Sequence, residues 1–473
     1  MNFDNATSAF IKDFVKDLEE RSVAIFAGAG MSKSAGYVDW PELLRDIASE
    51  LGLEVEKEAD LISVAQFHVN SKKGSGGLAK KILQEFSEQA EPSETHAILA
   101  RLPIGTYWTT NYDHLIEDAL SQAYKIADVK HSVGQLTTTR PKRDAVVYKM
   151  HGDVTLPQEA VLYKEQYERY HQTHAPFVTA LSGDLVSKTF LFIGFSFTDP
   201  NLDYVLSRLH VGTGKRNHYC FMRREQTQDS DDKDVVTYKQ RKQELRVDDL
   251  KRFGIQTILI DSYTDIPLIL REIESRYRKK TIFIAGSAEQ YGSWSRTEAL
   301  GFIHELSSET IKANFRIVNG FGWGVGSSVI NGALEAIYGN PQKYSEDQLI
   351  MRPFPQHGDN LQALWEQYRQ RMISLAGIAI FLYGNKMQDD NIVDANGMRR
   401  EFEIAIEHGL IPIPIGSTGY VAEQLFNEVL SEPEKYFHGL DRVIPLIKEL
   451  NDPKMRGSVL VKKIINIFRE VSK

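Results

Sequence analysis

The sequence predicts an α/β protein of two domains, each with a mostly parallel, Rossmann-like sheet flanked by helices. The chain has 473 residues, more than a single hydrophobic core usually serves. Short apolar runs alternate with longer helical patterns, the order expected of parallel strands joined by right-handed crossover helices. The succession of apolar strand, glycine turn and helix begins twice, at Val23 and at Thr281. Each beginning indicates the first strand of a separate sheet.

The composition excludes several classes of protein. Hydrophobic residues make up 42% of the chain and charged residues 25%, as in soluble globular proteins. The net charge of −8 opposes nucleic-acid binding, which depends on many Lys and Arg side chains. No apolar run approaches the ~18 residues of a membrane span, and residues 1–17 lack the apolar core of a signal peptide, so we expect a cytoplasmic protein. Cys220 is the single cysteine, which excludes a disulfide framework or a four-cysteine zinc site, and we expect no metal.

The first half of the chain contains the larger set of predicted strands. The apolar runs lie at residues 23–26, 104–108, 145–149, 189–193, 218–222 and 257–260. Residues 223–250 are densely charged with both signs, which favours a solvated helix over a core element. A helical pattern at residues 269–280 ends in a basic cluster. We therefore place the domains at residues 1–280 and 281–473.

The second half repeats this organisation in a smaller domain. Its apolar runs lie at residues 281–284, 316–319, 378–383 and 411–415, separated by segments long enough for helices. One predicted helix covers residues 361–375, and another begins near residue 400. Periods typical of coiled coils or solenoids are absent from the sequence.

Four polar clusters in the first half each follow a predicted strand. Ligands of open α/β sheets bind beyond the carboxyl ends of the strands, so distant clusters can meet there. A glycine turn after a strand can also present amide N–H groups to a pyrophosphate. The clusters read Gly28-Ala29-Gly30-Met31-Ser32, Thr109-Thr110-Asn111-Tyr112-Asp113, Met150-His151-Gly152-Asp153 and Gly194-Phe195-Ser196-Phe197-Thr198-Asp199.

In this order the clusters resemble the NAD site of the sirtuin family. The resemblance implies NAD as substrate and Asn111 and His151 as catalytic residues. Asn111 is suited to orient a water molecule or a ribose hydroxyl, and a histidine, with an ordinary pKa of ~6.5, to accept a proton near neutral pH. The resemblance also implies that NAD is contacted by Gly28, Ala29, Gly30, Ser32, Asp113, Ser196 and Asn217.

Two departures from the protein-deacetylating sirtuins bear on the reaction. The four-cysteine zinc ribbon of those enzymes is missing, and Thr110 stands where the family favours glutamine. Because the missing module helps to shape the cleft for an acyl-lysine peptide, we expect water to be the acceptor. The predicted activity is NAD+ glycohydrolysis to nicotinamide and ADP-ribose. An NAD-dependent protein deacylase and a non-catalytic nucleotide sensor remain as alternatives.

The second domain carries its own glycine-rich site. Its first strand leads into Ala285-Gly286-Ser287, and residues 319–327 alternate glycines before a helix, which frees amide groups for phosphate oxygens. Arg369 and Lys386 would neutralise a pyrophosphate, and the carboxylate of Glu401 can accept paired hydrogen bonds from a ribose or a base. These glycine turns resemble the SLOG family of nucleotide-sensing domains. The predicted signal-binding residues are Gly286, Ser287, Gly322, Gly324, Arg369, Lys386 and Glu401.

A sirtuin-like domain followed by a SLOG-like domain resembles the NADase effectors of the bacterial Thoeris anti-phage systems. The resemblance implies activation by a cyclic ADP-ribose isomer, made by a TIR-domain partner protein and bound at the C-terminal domain. It also implies a homotetramer or larger assembly and NAD depletion in the infected cell. A signal activates only if it binds the active arrangement more tightly than the resting one. We therefore expect the resting protein to occlude or distort the site of Asn111 and His151.

Overall fold

The computed structural model describes residues 3–86, 90–197, 199–209, 216–226, 233–355, 357 and 359–472. The chain divides into two compact units, Met1–Glu274 and Ser275–Lys473. The division falls within the helix that precedes the predicted boundary at residue 280. Among the described residues, every helix is too short or too polar to cross a membrane.

The first unit is built on a seven-stranded parallel sheet. Its strands are β1 (Val23–Ala27), β2 (Thr106–Thr109), β3 (Ala127–Lys130), β4 (Ala145–Lys149), β5 (Thr189–Ile193), β6 (His218–Arg223) and β7 (Ile255–Ile260). They are ordered β3-β4-β2-β1-β5-β6-β7, and every neighbouring pair is parallel. Each residue of β1 and β5 is buried, because helices cover both faces of such a sheet. The edge strand β3 alternates between buried and half-buried residues and was not predicted from the sequence.

Helices flank this sheet on both faces, as predicted. The charged segment of the chain forms a mostly exposed helix, α11 below, in agreement with the sequence prediction. The helices are α1 (Asn5–Glu19), α2 (Ala29–Lys33), α3 (Trp40–Glu50), α4 (Leu61–Lys72), α5 (Gly76–Phe86), α6 (Glu94–Arg101), α7 (Leu115–Gln122), α8 (Lys164–Thr173), α9 (Ala175–Ser187), α10 (Pro200–Leu209), α11 (Lys233–Lys251) and α12 (Asp265–Arg278).

The second unit has a five-stranded parallel sheet and a separate hairpin. The strands are β8 (Thr281–Ser287), β9 (Arg316–Asn319), β10 (Leu349–Met351), β11 (Ile378–Tyr383), β12 (Asn385–Gln388), β13 (Asn391–Asp394) and β14 (Ile411–Pro414). The sheet order is β10-β9-β8-β11-β14, and β12 pairs with β13 in the antiparallel hairpin. The helices are α13 (Arg296–Lys312), α14 (Gly326–Gly339), α15 (Leu361–Ile373), α16 (Asn396–Glu407), α17 (Tyr420–Ser431), α18 (Pro433–Tyr436), α19 (Ile444–Lys448) and α20 (Gly457–Val471). Strand β10 and the hairpin were not predicted.

In both sheets the direction in which successive strands are added reverses beside the first strand. In the first unit β1 lies between β2 and β5, and in the second unit β8 lies between β9 and β11. Connections leave such a strand in opposite directions, which opens a crevice beyond the carboxyl ends of the strands. The predicted fold class is confirmed, and most of the predicted site residues follow strands that border these two crevices.

Candidate functional site

The glycine turn after β1 packs directly against the turn after β5. The amide of Gly28 donates to Ile193 O and the amide of Gly30 to Gly194 O, each at 2.9 Å. A Cβ atom on Gly28 would lie 2.4 Å from Gly194 O, so only glycine fits. In this conformation the neighbouring turn accepts the hydrogen bonds of these two amides, so they are not free for a pyrophosphate, and contact of the turn with NAD stays a prediction.

A buried chain of hydrogen bonds holds Asn111 above this turn. Asn111 Nδ2 donates to Gly28 O (3.0 Å) and to Ser32 Oγ (2.8 Å), and Ser32 Oγ donates to Asp113 Oδ2 (2.6 Å). Asp113 Oδ1 accepts the amide of Leu115 (3.0 Å). Both hydrogens of the Asn111 amide are thus engaged, and within the described ranges its Oδ1 has no donor. The structure leaves Oδ1 as the atom that can accept a hydrogen bond from water or a ribose hydroxyl.

The space beside this chain of hydrogen bonds is small. A cavity of about 20 Å³ is lined by Ala29, Ser32, Asn111 and Asp113, with Trp40 among its apolar walls. Such a volume holds about one water molecule. This space is smaller than a pyridine ring.

A fully buried lysine supports the loop between β2 and α7. Lys149 Nζ donates to the carbonyl oxygens of Tyr112 (3.1 Å) and Asp113 (2.6 Å), contacts Asp153 and lies 3.2 Å from Glu117 Oε1. Burial alone would lower the pKa of Lys149, but the two carboxylates outweigh it and raise the pKa, so the ammonium stays charged. The sequence analysis assigned no role to this lysine, although a lone lysine at the end of an apolar strand was a visible signal.

His151 follows β4 and is buried, with an exposed fraction of 1%. Its Nε2 lies 3.3 Å from Asn201 Nδ2 and 3.4 Å from Asp199 Oδ2. The edges of Tyr167 and Tyr170 contact the imidazole, with ring centroids 5.3 and 6.2 Å away. Burial lowers the pKa of His151, and Asp199 acts in the opposite direction. The imidazole is therefore neutral near neutral pH, the state that a base requires.

A second cavity, of about 390 Å³, lies beside His151. Three of its wall residues, Tyr167, Tyr170 and Asn201, also contact the histidine, which does not itself line the cavity. Its volume falls within the range of small-molecule pockets. Asp199 and Asn201 received no role from the sequence, although they follow the carboxyl end of β5 as the other clusters follow their strands.

The two outer NAD-contact residues predicted from the resemblance differ in position. Ser196 lies exposed in the turn after β5, on the edge of the sheet that carries the site. Asn217 precedes β6 and so lies at the amino-terminal edge of the same sheet. Parallel strands all end at one edge, so the structure does not bring Asn217 to the site, and that prediction is wrong.

The glycine loop of the second unit packs on the turn after β8. A Cβ atom on Gly322 would lie 1.9 Å from Gly286 O, and one on Gly324 would lie 1.9 Å from Ala288 O. Gly324 also has a φ of 69°, which favours glycine. A Cβ atom on Gly286 would meet Leu382 O at 2.7 Å. Close packing of backbone on backbone is therefore one reason for these glycines.

The outer face of the same loop is open. The amides of Gly322, Trp323 and Gly324 have no acceptor among the residues that the structure describes. Phe321 and Trp323 expose 52% and 73% of their surface. Free amides beside exposed aromatic rings fit a ligand that carries both phosphate and a base.

Arg369 and Glu401 lie close together in the second unit, and their role in binding a signal stays a prediction. Arg369 Nε lies 3.8 Å from Glu401 Oε1, and both side chains are more than four-fifths buried. The guanidinium lies over the ring of Phe354 at 5.0 Å, and its Nε has no hydrogen-bond partner in the described part of the chain. Burial raises the pKa of Glu401 to about 7, with Arg369 acting against that rise. Both groups are left with unused hydrogen-bonding capacity.

Lys386 and Ser287 are placed by the junction of β8 and β11. Ser287 Oγ donates to Asn385 O at 3.1 Å, which ties the β8 turn to the start of the hairpin. Lys386, the next residue, is exposed on β12 and forms no ion pair within the described ranges. The structure thus leaves its ammonium free, but does not pair it with Glu401.

Within the described ranges, His, Cys, Asp and Glu form no group of three or more that could hold a metal ion. The prediction of a metal-free enzyme stays a prediction.

Comparisons with known proteins agree with this arrangement. A model described as the Sir2- and TIR-associating SLOG family matches residues 265–471, and a SIR2-like domain model matches residues 105–247. The chain is 50% identical to a protein named NAD(+) hydrolase ThsA from Bacillus cereus (strain MSX-D12), over 100% of both chains. A protein of the same name from Acinetobacter baumannii (strain 532279) is 44% identical over 99% of both chains. Another, from Cytobacillus dafuensis, is 45% identical over 97% of this chain and 95% of its own. The chain therefore belongs to the ThsA family, with a SIR2-like domain followed by a SLOG domain.

Proposed function

We propose that this protein hydrolyses NAD+ to nicotinamide and ADP-ribose. The observation that carries the proposal is the chain of hydrogen bonds from Asp113 through Ser32 to Asn111, at the crevice where an open α/β sheet binds its ligand. The name of the relatives, which are similar over nearly their full length, supports the same reaction.

Asn111 would orient the reacting groups. The bond between C1′ of the ribose and the nicotinamide nitrogen breaks through a cationic, oxocarbenium-like state, which gains from fixed dipoles nearby. Because Gly28 O and Ser32 Oγ fix the amide group of Asn111, its Oδ1 can hold a water molecule or a ribose hydroxyl without reorganising. The side chain acts by positioning, and its charge state does not change.

His151 would act as the base. Water forms the new bond to C1′, nicotinamide leaves with the electrons of the old bond, and the proton released by water passes to His151. The imidazole is neutral at rest, as this step requires. The proton then returns to solvent, and the products are nicotinamide, ADP-ribose and one proton.

We further propose that hydrolysis is switched on by a cyclic ADP-ribose isomer bound at the second unit. The free amides at Gly322 to Gly324 and the incompletely paired Arg369 support binding of a pyrophosphate there, and Glu401 could accept hydrogen bonds from ribose or base. The cavity of about 20 Å³ beside Asn111 supports a resting state that must open before nicotinamide enters. A TIR-domain protein as the source of the signal is supported by the description of the SLOG family. Assembly as a homotetramer or larger, action in the cytoplasm and NAD depletion in anti-phage defence complete the proposal.

The test is nicotinamide release from NAD+ by the purified full chain. The protein is assayed alone, with cyclic ADP-ribose, with isomers that differ in the glycosidic linkage, and with an acyl-lysine peptide, beside His151→Ala. We expect release that depends on one isomer and on His151.

Three other outcomes would contradict the proposal in different ways. Release without any isomer would remove the gating. Release only in the presence of an acyl-lysine peptide would identify a deacylase. No release under any condition would identify a non-catalytic sensor.

A further inference from the structure

Asp199 is held rigidly at the start of α10. Its Oδ1 accepts the amides of Asn201 (2.9 Å) and Leu202 (3.1 Å), which is the geometry of a helix cap. Its Oδ2 lies 3.4 Å from His151 Nε2. Because the helix amides fix one oxygen, the other is aimed at the imidazole.

Among the residues that the structure describes, the other groups around His151 are uncharged or lie farther away. Tyr167 and Tyr170 of α8 face the imidazole, and burial raises the pKa of both well above the usual value of 10.0, so they stay neutral. Asn201 of α10 contributes a neutral amide. His174 stacks on the far side of Tyr170, with ring centroids 4.5 Å apart. Among the described residues Asp199 is the one carboxylate within 4 Å of the histidine.

Proton transfer to His151 creates a positive charge that this carboxylate can stabilise. When His151 takes a proton, an imidazolium forms where 1% of the residue is exposed. A buried charge without a partner is costly, and a fixed carboxylate offsets that cost without reorganising.

We propose that Asp199 is a positioning residue for the hydrolysis of NAD+, orienting the His151 ring and stabilising the imidazolium that forms during the reaction. This inference rests on the proposed function. Asp199 acts through His151 and does not touch the substrate. Its other oxygen caps the start of α10 and so holds this helix beside the base.

The experiment compares Asp199→Asn with Asp203→Asn. Asparagine also caps helices well, so Asp199→Asn keeps the start of α10 while removing the charge. Asp203 lies exposed on the same helix and undergoes the same chemical change away from His151. Nicotinamide release is measured from pH 5 to 9 at saturating concentrations of whichever cyclic ADP-ribose isomer activates the unmodified protein.

We expect Asp199→Asn to lower kcat by roughly 10²-fold or more, with KM little changed. The loss of the carboxylate also lowers the pKa of His151, so the acid limb of the pH profile moves to lower pH. Asp203→Asn should keep the kcat and the acid limb of the unmodified protein.

The outcomes distinguish failure of this inference from failure of the proposed function. An Asp199→Asn protein with normal kcat and an unshifted acid limb would overturn the role of Asp199, provided that His151→Ala is inactive. Full activity of His151→Ala would instead overturn the assignment of the base itself. Thermal unfolding of each variant checks that a lost rate does not reflect a lost fold.

Discussion

The two crevices of this protein both lie where the strand order reverses, but they differ in how fully their polar groups are hydrogen-bonded. In the first unit, Asn111, Ser32 and Asp113 are joined by hydrogen bonds, and the neighbouring cavity holds about one water molecule. In the second unit, the loop at Trp323 presents free amides and exposed rings, and Arg369 keeps an unused donor.

The difference fits the two proposed tasks. Catalysis gains when polar groups are fixed before the reaction, because they then need no reorganisation in the transition state. A sensor gains when its groups are incompletely satisfied until the signal arrives, because the signal must bind one arrangement better than the other. The same reversal of strand order beside the first strand can therefore support a closed reaction site or an open receptor site.

The largest effects are expected at His151 and Asn111. We expect His151→Ala and Asn111→Ala to lower nicotinamide release by about 10²–10⁴-fold, since general base catalysis and positioning are lost. Calorimetric titration with the activating isomer should give unchanged affinity, because the proposed receptor site lies in the other unit. Near-normal release by either variant would show that the hydrogen-bonded crevice is not the reaction site.

A smaller effect is expected at the receptor crevice. Arg369→Ala should raise the isomer concentration needed for half-maximal activation by about 10- to 100-fold, since a charged hydrogen bond contributes roughly 1.5–3 kcal/mol. The rate at saturating isomer should stay the same. Arg371→Ala, an exposed arginine on the same helix, is the matched control. Equal activation curves for the two variants would remove Arg369 from the signal site.

Glycine packing should affect stability without direct loss of chemistry. A Cβ atom on Gly322 would lie 1.9 Å from Gly286 O, so Gly322→Ala forces backbone to move at a cost of about 1–3 kcal/mol. We expect the unfolding transition of the second unit to fall by several degrees in calorimetry. Gly339→Ala, where the added Cβ atom meets nothing within 4 Å, should leave it in place. Equal transitions would mean that the loop adjusts freely.

The smallest expected effect is a dependence on pH at Glu401. Burial raises the pKa of Glu401 from its usual value of 4.5 to about 7, so the folded state binds the proton more tightly than the unfolded state. The carboxyl therefore costs stability as pH rises from about 4.5 to 7, and the cost persists above 7. Glu401→Gln should unfold a few degrees above the unmodified protein at pH 8 and close to it at pH 5. A gap that does not change with pH would contradict the buried carboxyl.

Strands buried on both faces were predictable, whereas the short strands β3 and β10 and the hairpin of β12 and β13 were not. Strands β1, β5 and β11 are fully buried and appear in the sequence as unbroken apolar runs. The hairpin of β12 and β13 turns at Asp389 and Asp390, with φ values of 49° and 58°. These values match a two-residue hairpin turn, but Asp-Asp is a weaker signal for it than Asn-Gly.

By itself the sequence determined the two α/β units and the polar clusters after their strands, because burial periodicity and glycine turns are local features. The tertiary structure alone decided which distant groups meet. It placed Asn217 at the opposite edge of the sheet, assigned the amides of Gly28 and Gly30 to the β5 turn, and brought Asp199 to His151. These contacts depend on the lateral order of strands, which no local pattern encodes, because every parallel strand presents the same periodicity whatever its neighbour.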